Sequence, residues 1–130
     1  MRDVLTGKRL LITGVVTTDS IAWAVAERAQ LQNAEVILTT FDRIRSMTEA
    51  AADALPRRPE ILTLDASRPE DFSALSRALA GRTLDGALHA IAFAPRDALA
   101  GDFLAATDKA IELAYPDVHH LLCPARRGPA

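Results

Sequence analysis

Short apolar runs alternate with segments of helical spacing along most of the chain. The apolar runs are typical of strands buried on both faces, and the segments between them place apolar residues three or four positions apart. Strands are predicted over 9–13, 35–39, 60–64 and 84–93. This alternation predicts right-handed βαβ crossovers. The expected fold is therefore a Rossmann-type α/β parallel sheet with flanking helices, strand order 3-2-1-4, truncated after about four strands.

The first predicted helix begins after an N-cap at Ser20 and continues through Gln32. Asn33 suits the left-handed conformation that closes a helix. The apolar stripe that this helix is predicted to bury consists of Ile21, Val25 and Ala29, with Ala22 and Ala26 beside it.

Three further helices are predicted after the second, third and fourth strands. Asp42 is the N-cap expected for the next helix, which stops at Pro56. Ser67 begins a capping box, Ser-Arg-Pro-Glu, that opens the third helix. A weaker pattern after Asp102 predicts a last helix that Pro116 ends. The apolar residues assigned to these helices are Ile44, Met47, Ala51 and Leu55, then Phe72, Leu75 and Leu79, and last Leu104, Ile111 and Tyr115.

Composition narrows the class of protein. Hydrophobic residues make up 49%, charged residues 25%, and the net charge is -2, so nothing favours nucleic acid as a partner. No apolar run has the length of a signal peptide or of a membrane span, so no membrane partner is expected. The single Cys123 cannot form an internal disulfide. We therefore expect a cytoplasmic protein.

Candidate ligand-binding residues follow the ends of successive strands, where open α/β sheets bind their ligands. Gly14 lets the backbone approach a ligand, and the amides that open the Ser20 helix suit a pyrophosphate. Phe41 could lie against an adenine ring or belong to the core. Asp42 could meet a ribose or cap a helix, and Asp65 could accept from an adenine amino group or stabilise a turn. Residues 90–93 end the fourth strand beside the same crevice.

These stretches resemble a known family. The segments "GKRLLITGVVTTDSIAWAVAERAQ", "VILTTFDRIR", "ILTLDAS" and "LDGALHAIAFAP" are similar to the N-terminal half of NADH-dependent enoyl-acyl-carrier-protein reductases of the InhA and FabI type, a branch of the short-chain dehydrogenase/reductases. The resemblance covers roughly residues 5 to 104. One glycine followed by a long loop to Ser-Ile-Ala is that family's variant of the dinucleotide turn.

The resemblance implies a fatty-acid biosynthesis enzyme that binds NADH and reduces an enoyl thioester carried on acyl carrier protein, and that assembles as a homotetramer. It assigns no metal. The implied cofactor contacts are Gly14, Val15, Ser20 and Ile21 at the pyrophosphate and neighbouring ribose, Phe41 on adenine, Asp65 and Ala66 at the adenine edge, and Ile91 and Ala92 at the nicotinamide-side ribose.

Three positions bear on how the cofactor would fit. Thr40 and Ala92 stand where the family pattern has glycine, and a methyl group at Ala92 could crowd the dinucleotide. Arg43 could receive the extra phosphate of NADPH, although the resemblance favours NADH.

His89 alternates within the fourth apolar run and is expected to be a packed, hydrogen-bonded histidine rather than a base.

The family's catalytic pair has no counterpart in these residues. Its Tyr-x6-Lys motif combines a tyrosine that stabilises the developing enolate with a lysine that holds the cofactor ribose. The seventh residue after Tyr115 is Leu122, and the shorter Tyr-x3-Lys spacing of ordinary relatives falls on His119. The lysines are Lys8 and Lys109, so no catalytic residue is assigned.

Two interpretations of the whole chain remain. In the first, residues 1–104 are the N-terminal part of a Rossmann domain, and 105–130 form a divergent tail whose composition is typical of an out-of-frame translation; the chain is then inactive alone. In the second, the chain is a non-catalytic module that binds a dinucleotide or a protein. A remnant of another short-chain dehydrogenase is a further alternative, so whether the chain is an enzyme stays open.

Overall fold

The structure is a computed structural model that describes residues 3–99 and 101–122; Cys123 lies outside them. Contacts group the chain into two compact units, Met1–Ala90 and Ile91–Ala130. The first unit holds the sheet and its helices, and the second holds helical segments. The boundary predicted after residue 104 marks where the family resemblance ends, and it stays a prediction.

The first unit is built on a four-stranded parallel sheet. Its strands are β1 (Arg9–Ile12), β2 (Glu35–Thr40), β3 (Glu60–Thr63) and β4 (Gly86–Leu88). Their order in the sheet is β3-β2-β1-β4, which confirms the predicted fold class and order. Strand β4 is much shorter than the predicted 84–93. It pairs with β1, and that register ends at Ile12 opposite Leu88.

Both units contain helices. In the first unit they are α1 (Ile21–Leu31), a 3-10 helix (Asp42–Ile44), α2 (Arg45–Asp53) and α3 (Pro69–Ala78). In the second they are α4 (Arg96–Leu99), a 3-10 helix (Phe103–Ala105) and α5 (Asp108–Leu122). Helix α5 continues past Pro116, so the predicted stop there is wrong. A proline removes one amide donor, which weakens a helix without always ending it. Within residues 3–99 and 101–122, no helix is both long and apolar enough to cross a membrane.

Alanines form the buried face of α1. The side chains of Ala22, Ala26 and Ala29 are at most 2% exposed, whereas Ile21 is 80% exposed and Val25 is also exposed. The predicted apolar stripe is therefore wrong at its first two positions. Small side chains let a helix lie close against a sheet, because a branched side chain at the contact would hold the two backbones apart.

The two predicted N-caps after β2 and β3 are wrong. Asp42 lies inside a 3-10 helix whose N-cap is Phe41, and no side chain caps it. Ser67 binds the carboxylate of Asp65 instead of capping α3, whose N-cap is Arg68. At Ser67 the Asp65 carboxylate competes with the cap, as is typical of short polar side chains in turns.

The helix ends of α1 are fixed by polar groups. Ser20 is the N-cap, as predicted, and Asn33 has φ 63°, the predicted left-handed conformation. Beyond the prediction, the Arg57 guanidinium donates to the backbone oxygens of Gln30 and Ala34, both at 3.0 Å. The Arg57 side chain thereby joins the last turn of α1 to the residue that precedes β2.

Charged side chains join the strands at the amino edge of the sheet. Arg9 at the start of β1 donates to Glu35 at the start of β2, at 2.8 Å. Asp85, just before β4, accepts from the Arg9 amide at 2.9 Å and from Lys8 at 3.2 Å. The pKa of Asp85 is lowered, first by the backbone hydrogen bond from Arg9. This edge therefore holds three strands in register.

Glu60 and Arg82 form a bidentate ion pair at the same edge. Two guanidinium nitrogens of Arg82 donate to the two carboxylate oxygens of Glu60, at 2.6 and 3.2 Å. The hydrogen bond from Arg82 is the largest cause of the lowered pKa of Glu60. The pair ties the loop before β4 to the first residue of β3.

We expect the Glu60–Arg82 pair to make stability depend on pH. Because the pKa of Glu60 is lower in the folded chain, its stabilisation is fully present above about pH 5 and is lost as the pH falls through the folded pKa. Both side chains are partly exposed, so Arg82→Gln should lower the free energy of unfolding only slightly at neutral pH. Urea unfolding followed by Trp23 fluorescence should show the difference between wild type and variant closing as the pH is lowered from neutral to below about 5. A difference that stays constant across this range would contradict the assignment.

Candidate functional site

The turn after β1 approaches the backbone at the end of β4. Gly14 has φ +84°, and a Cβ placed on it would lie against the Ala90 carbonyl group, 2.7 Å from the carbonyl carbon. No side chain fits in that space. The sequence predicts Gly14 as a place where a ligand approaches the backbone, and that contact stays a prediction; in the structure the backbone of Ala90 approaches Gly14.

Thr13 joins β1 and β4 by hydrogen bonds at the point where their regular pairing ends. Its amide and hydroxyl both donate to the Leu88 carbonyl, at 3.0 and 3.1 Å. The same hydroxyl oxygen accepts from the Ala90 amide at 3.1 Å. This role was not predicted from the sequence, because Thr13 has the pattern of one more residue of the first strand. Its hydroxyl fixes the position of the turn relative to β4.

Ser20 holds the other end of the loop that starts at Gly14. Its side-chain oxygen accepts from the Trp23 amide at 3.3 Å and its hydroxyl donates to the Thr17 carbonyl at 2.7 Å. The first amides of an α-helix have no acceptor within the helix, and the helix dipole is positive there. The exposed Ile21 follows directly. The loop therefore ends at donors that suit an anionic ligand.

Phe41 and Asp42 lie at the carboxyl end of β2. Phe41 is half-buried and has extended backbone angles, φ -134° and ψ 163°. Asp42 is exposed and caps no helix, and its predicted ribose contact stays a prediction. A carboxylate at this strand end is the group that Rossmann folds use on the ribose hydroxyls of NAD.

Asp65 lies at the carboxyl end of β3 in a tight turn. One of its oxygens accepts from the Ser67 amide at 2.9 Å and from the Ser67 hydroxyl at 2.6 Å, and its own amide donates to Asp71 at 2.9 Å. The Ser67 hydroxyl is the largest cause of the lowered pKa of Asp65, and the charge of Arg43 lowers it too. Asp65 is thus an oriented anion, beside the buried Ala66.

Thr40 projects into the core rather than into solvent. Its side chain is 2% exposed, and its hydroxyl lies 2.9 Å from that of Thr48. Thr48 in turn donates to the Val15 carbonyl at 2.8 Å. Thr48 was not predicted as a buried residue, although it shares a helical face with Ala51 and Ala52 and could have been recognised as an inward polar residue. Met47, which was predicted to face inward on the same helix, is exposed.

The remaining predicted residues are placed as follows. Ile91 is half-buried and Ala92 exposed, and both belong to the second unit, so their predicted cofactor contact stays a prediction. Both ring nitrogens of His89 are shielded from solvent and lack a hydrogen-bond partner in the described part of the chain. The hydrogen bond predicted for His89 is therefore not found in the described residues.

Two glycine substitutions separate backbone strain from crowding at the turn. Gly14→Ala combines a left-handed φ with a collision against Ala90, whereas Gly81 has a similar φ of +76° and nothing within 4 Å of an added Cβ. We expect Gly81→Ala to cost about 1 kcal/mol of the free energy of unfolding and Gly14→Ala about 3 kcal/mol. Urea unfolding measures both. Equal losses would show that the approach to Ala90 is unimportant.

Comparison with known proteins agrees with this geometry. A family model described as enoyl-(acyl carrier protein) reductase matches residues 14–116. The enoyl-acyl-carrier-protein reductase (NADH) of Mycolicibacterium smegmatis is 38% identical over 104 residues, which are 76% of this chain and 38% of the relative. The FabI reductase (NADH) of Haemophilus influenzae is 36% identical over 115 residues, 85% of this chain and 44% of the relative.

A third relative, the FabI reductase (NADH) of Neisseria meningitidis, is 36% identical over 105 residues, 77% of this chain and 39% of the relative. The chain thus spans about two-fifths of the length of the curated relatives it matches. The match begins at Gly14, the residue on which the turn depends. The chain belongs to the enoyl-acyl-carrier-protein reductase family of the short-chain dehydrogenase/reductases.

Proposed function

We propose that these residues form the NADH-binding part of an enoyl-acyl-carrier-protein reductase of fatty-acid biosynthesis. The observation that carries the proposal is the turn at Gly14, which is held against the end of β4 and leads from the end of β1 to the amino end of α1. Open α/β sheets bind ligands where the strand order reverses, and here that point lies between β1 and β4. The pyrophosphate is assigned to the amides at the start of α1.

The adenosine half of the cofactor is assigned to the ends of β2 and β3. Phe41 supplies an aromatic face for adenine, and the Asp65 carboxylate accepts from the adenine amino group. Asp42 accepts from the ribose hydroxyls, and its negative charge disfavours the additional phosphate of NADPH. Arg43 opposes that preference, but its charge acts on Asp65. The relatives' names specify NADH, which agrees with this assignment.

Bound NADH supplies a hydride, and in the family the acceptor is an enoyl thioester on acyl carrier protein. The residues of this chain bind and orient the cofactor. They hold no Tyr-x6-Lys pair: Tyr115 is followed at the required spacing by Leu122. We therefore propose that the 130 residues bind NADH without reducing the thioester.

A second proposal is a non-catalytic dinucleotide-binding module. The turn at Gly14 supports dinucleotide binding in either case. The two proposals differ in whether these residues work together with others that supply the catalytic part of a reductase.

NADH binding is measured by energy transfer from Trp23 to the reduced nicotinamide in titrations of the full chain. Asp65→Asn removes a charged acceptor, and Phe41→Ala removes the aromatic face. Each should weaken NADH binding about tenfold. The matched control is Asp85→Asn, which alters an aspartate that also accepts a backbone amide but lies at the opposite edge of the sheet. NADPH should bind more weakly than NADH. Equal effects of Asp65→Asn and Asp85→Asn would contradict the adenine assignment.

We expect no turnover by the chain alone. Absorbance of NADH is followed with a trans-2-enoyl thioester, with the Mycolicibacterium smegmatis relative as the positive control. A transition state that lacks its enolate-stabilising acid loses at least about a hundredfold in rate, so the signal should not exceed that of buffer. NADH oxidation that depends on both chain and thioester would overturn this proposal, even if the binding assignment held.

A further inference from the structure

Two buried hydroxyl groups connect β2 and α2 to the first turn. Thr40 is the last residue of β2 and Thr48 lies in α2; their side chains are 2% and 0% exposed, and their oxygens are 2.9 Å apart. The Thr48 hydroxyl donates to the Val15 carbonyl at 2.8 Å. Val15 follows Gly14 directly and is fully buried. The three groups form one continuous buried chain.

The hydrogens in this chain have a single consistent direction. A carbonyl oxygen can only accept, so the one hydroxyl hydrogen of Thr48 is committed to Val15. The Thr48 oxygen must then accept from Thr40, and Thr40 is the donor of the 2.9 Å bond. The bonds run from Thr40 to Thr48 to the Val15 carbonyl. Each buried group on this path has a partner because the others are present.

Fixing the Val15 carbonyl also fixes the next amide. The peptide group is planar and trans, so the N–H of Val16 is directed opposite to the carbonyl of Val15. The carbonyl points inward to Thr48, and the Val16 amide is therefore directed away from it. Rotation of this peptide group would break the bond to Thr48. The amide that follows Gly14 and Val15 is thus held in one orientation.

We infer that Thr40 and Thr48 are positioning residues that hold the Val15–Val16 peptide, so that the Val16 amide donates to the phosphates of the bound dinucleotide. The inference rests on the proposed NADH binding. Backbone amides in a turn bind anions well only when their directions are fixed beforehand, because ordering them at the moment of binding costs affinity. The Thr40 hydroxyl, at a position where the family pattern has glycine, thereby acts on the cofactor without touching it.

Helix α2 is itself fixed, which makes the hydroxyl chain rigid. The indole nitrogen of Trp23 in α1 donates to the Ala51 carbonyl in α2 at 2.8 Å. Thr48 and Ala51 are one turn apart on the same face, and both are buried. The helix that carries Thr48 therefore cannot shift relative to α1 without losing a second bond. The fluorescence of Trp23 also serves to follow unfolding and NADH binding.

The test compares variants of the full chain that remove one or both hydroxyls. Thr48→Val deprives both Val15 and Thr40 of a partner, whereas Thr40→Val leaves the bond to Val15 in place. Thr39→Val is the matched control: Thr39 is the neighbouring buried threonine, and its hydroxyl has no hydrogen-bond partner in the described part of the chain. Thr48→Ser keeps the hydroxyl and serves as the rescue.

Hydrogen exchange of segment 14–18 without cofactor and NADH affinity are measured for each variant. Thr48→Val should raise exchange and weaken NADH binding, each about tenfold, the effect of one lost buried hydrogen bond. Thr40→Val should change both less, and Thr39→Val should change neither. Thr48→Ser should restore both. In the double variant Thr40→Val/Thr48→Val the defect should be no larger than in Thr48→Val, because the second substitution removes a buried hydroxyl that lacks a partner.

Wild-type exchange and NADH affinity in folded Thr48→Val would overturn the inference, as would additive losses in the double variant. Faster exchange with unchanged affinity would show that the chain of hydroxyls holds the turn but does not position a donor to the cofactor, and this too overturns it. Failure of the wild-type chain to bind NADH would instead overturn the proposed function. Trp23 fluorescence during urea unfolding confirms that each variant is folded.

Discussion

The approach of Gly14 to the Ala90 carbonyl is the constraint on which the first unit depends. A side chain at position 14 has no space, so β1 can end beside β4 only with a glycine in the left-handed conformation. Because the end of β1 lies so close to the end of β4, the Thr13 hydroxyl bonds to both Leu88 and Ala90. The end of β1, the turn and the end of β4 therefore form one interlocked piece, and the helix that follows starts from a fixed point.

These contacts fix the carboxyl ends of β1 and β4. The amino ends of the strands are fixed by ion pairs, in which Arg9 and Glu60 each bind a partner on another strand or loop. Strands β2 and β3 are joined at their carboxyl ends as well, where the Leu64 amide donates to the Thr40 carbonyl at 2.7 Å, next to Phe41 and Asp65. In the proposed NADH site such an edge needs little rearrangement when the ligand binds, and preorganisation of that kind favours affinity.

Local chemistry and periodicity were sufficient for the architecture, whereas long-range contacts decided the details. The Ser20 cap and the strand order follow from short-range signals and from the handedness of crossovers. The cap expected at Ser67 failed because Asp65, two residues away, competes for the same hydroxyl. Val25 was assigned to the core because hydrophobicity outranks size in a helical pattern, while close packing on a sheet selects alanine.

The site itself was less accessible to sequence reasoning than its outline. The ends of β1, β2 and β3 could be located to within one residue, whereas the end of β4 could not. The bond from Thr48 to Val15 joins residues 33 positions apart, and no local pattern encodes it. For the same reason Thr40 looked like a bulky replacement for glycine until its partner was known. A threonine at position 40 without a hydroxyl at 48 would bury an unpaired donor, so these two positions are expected to be epistatic, and family members should tend to exchange them together.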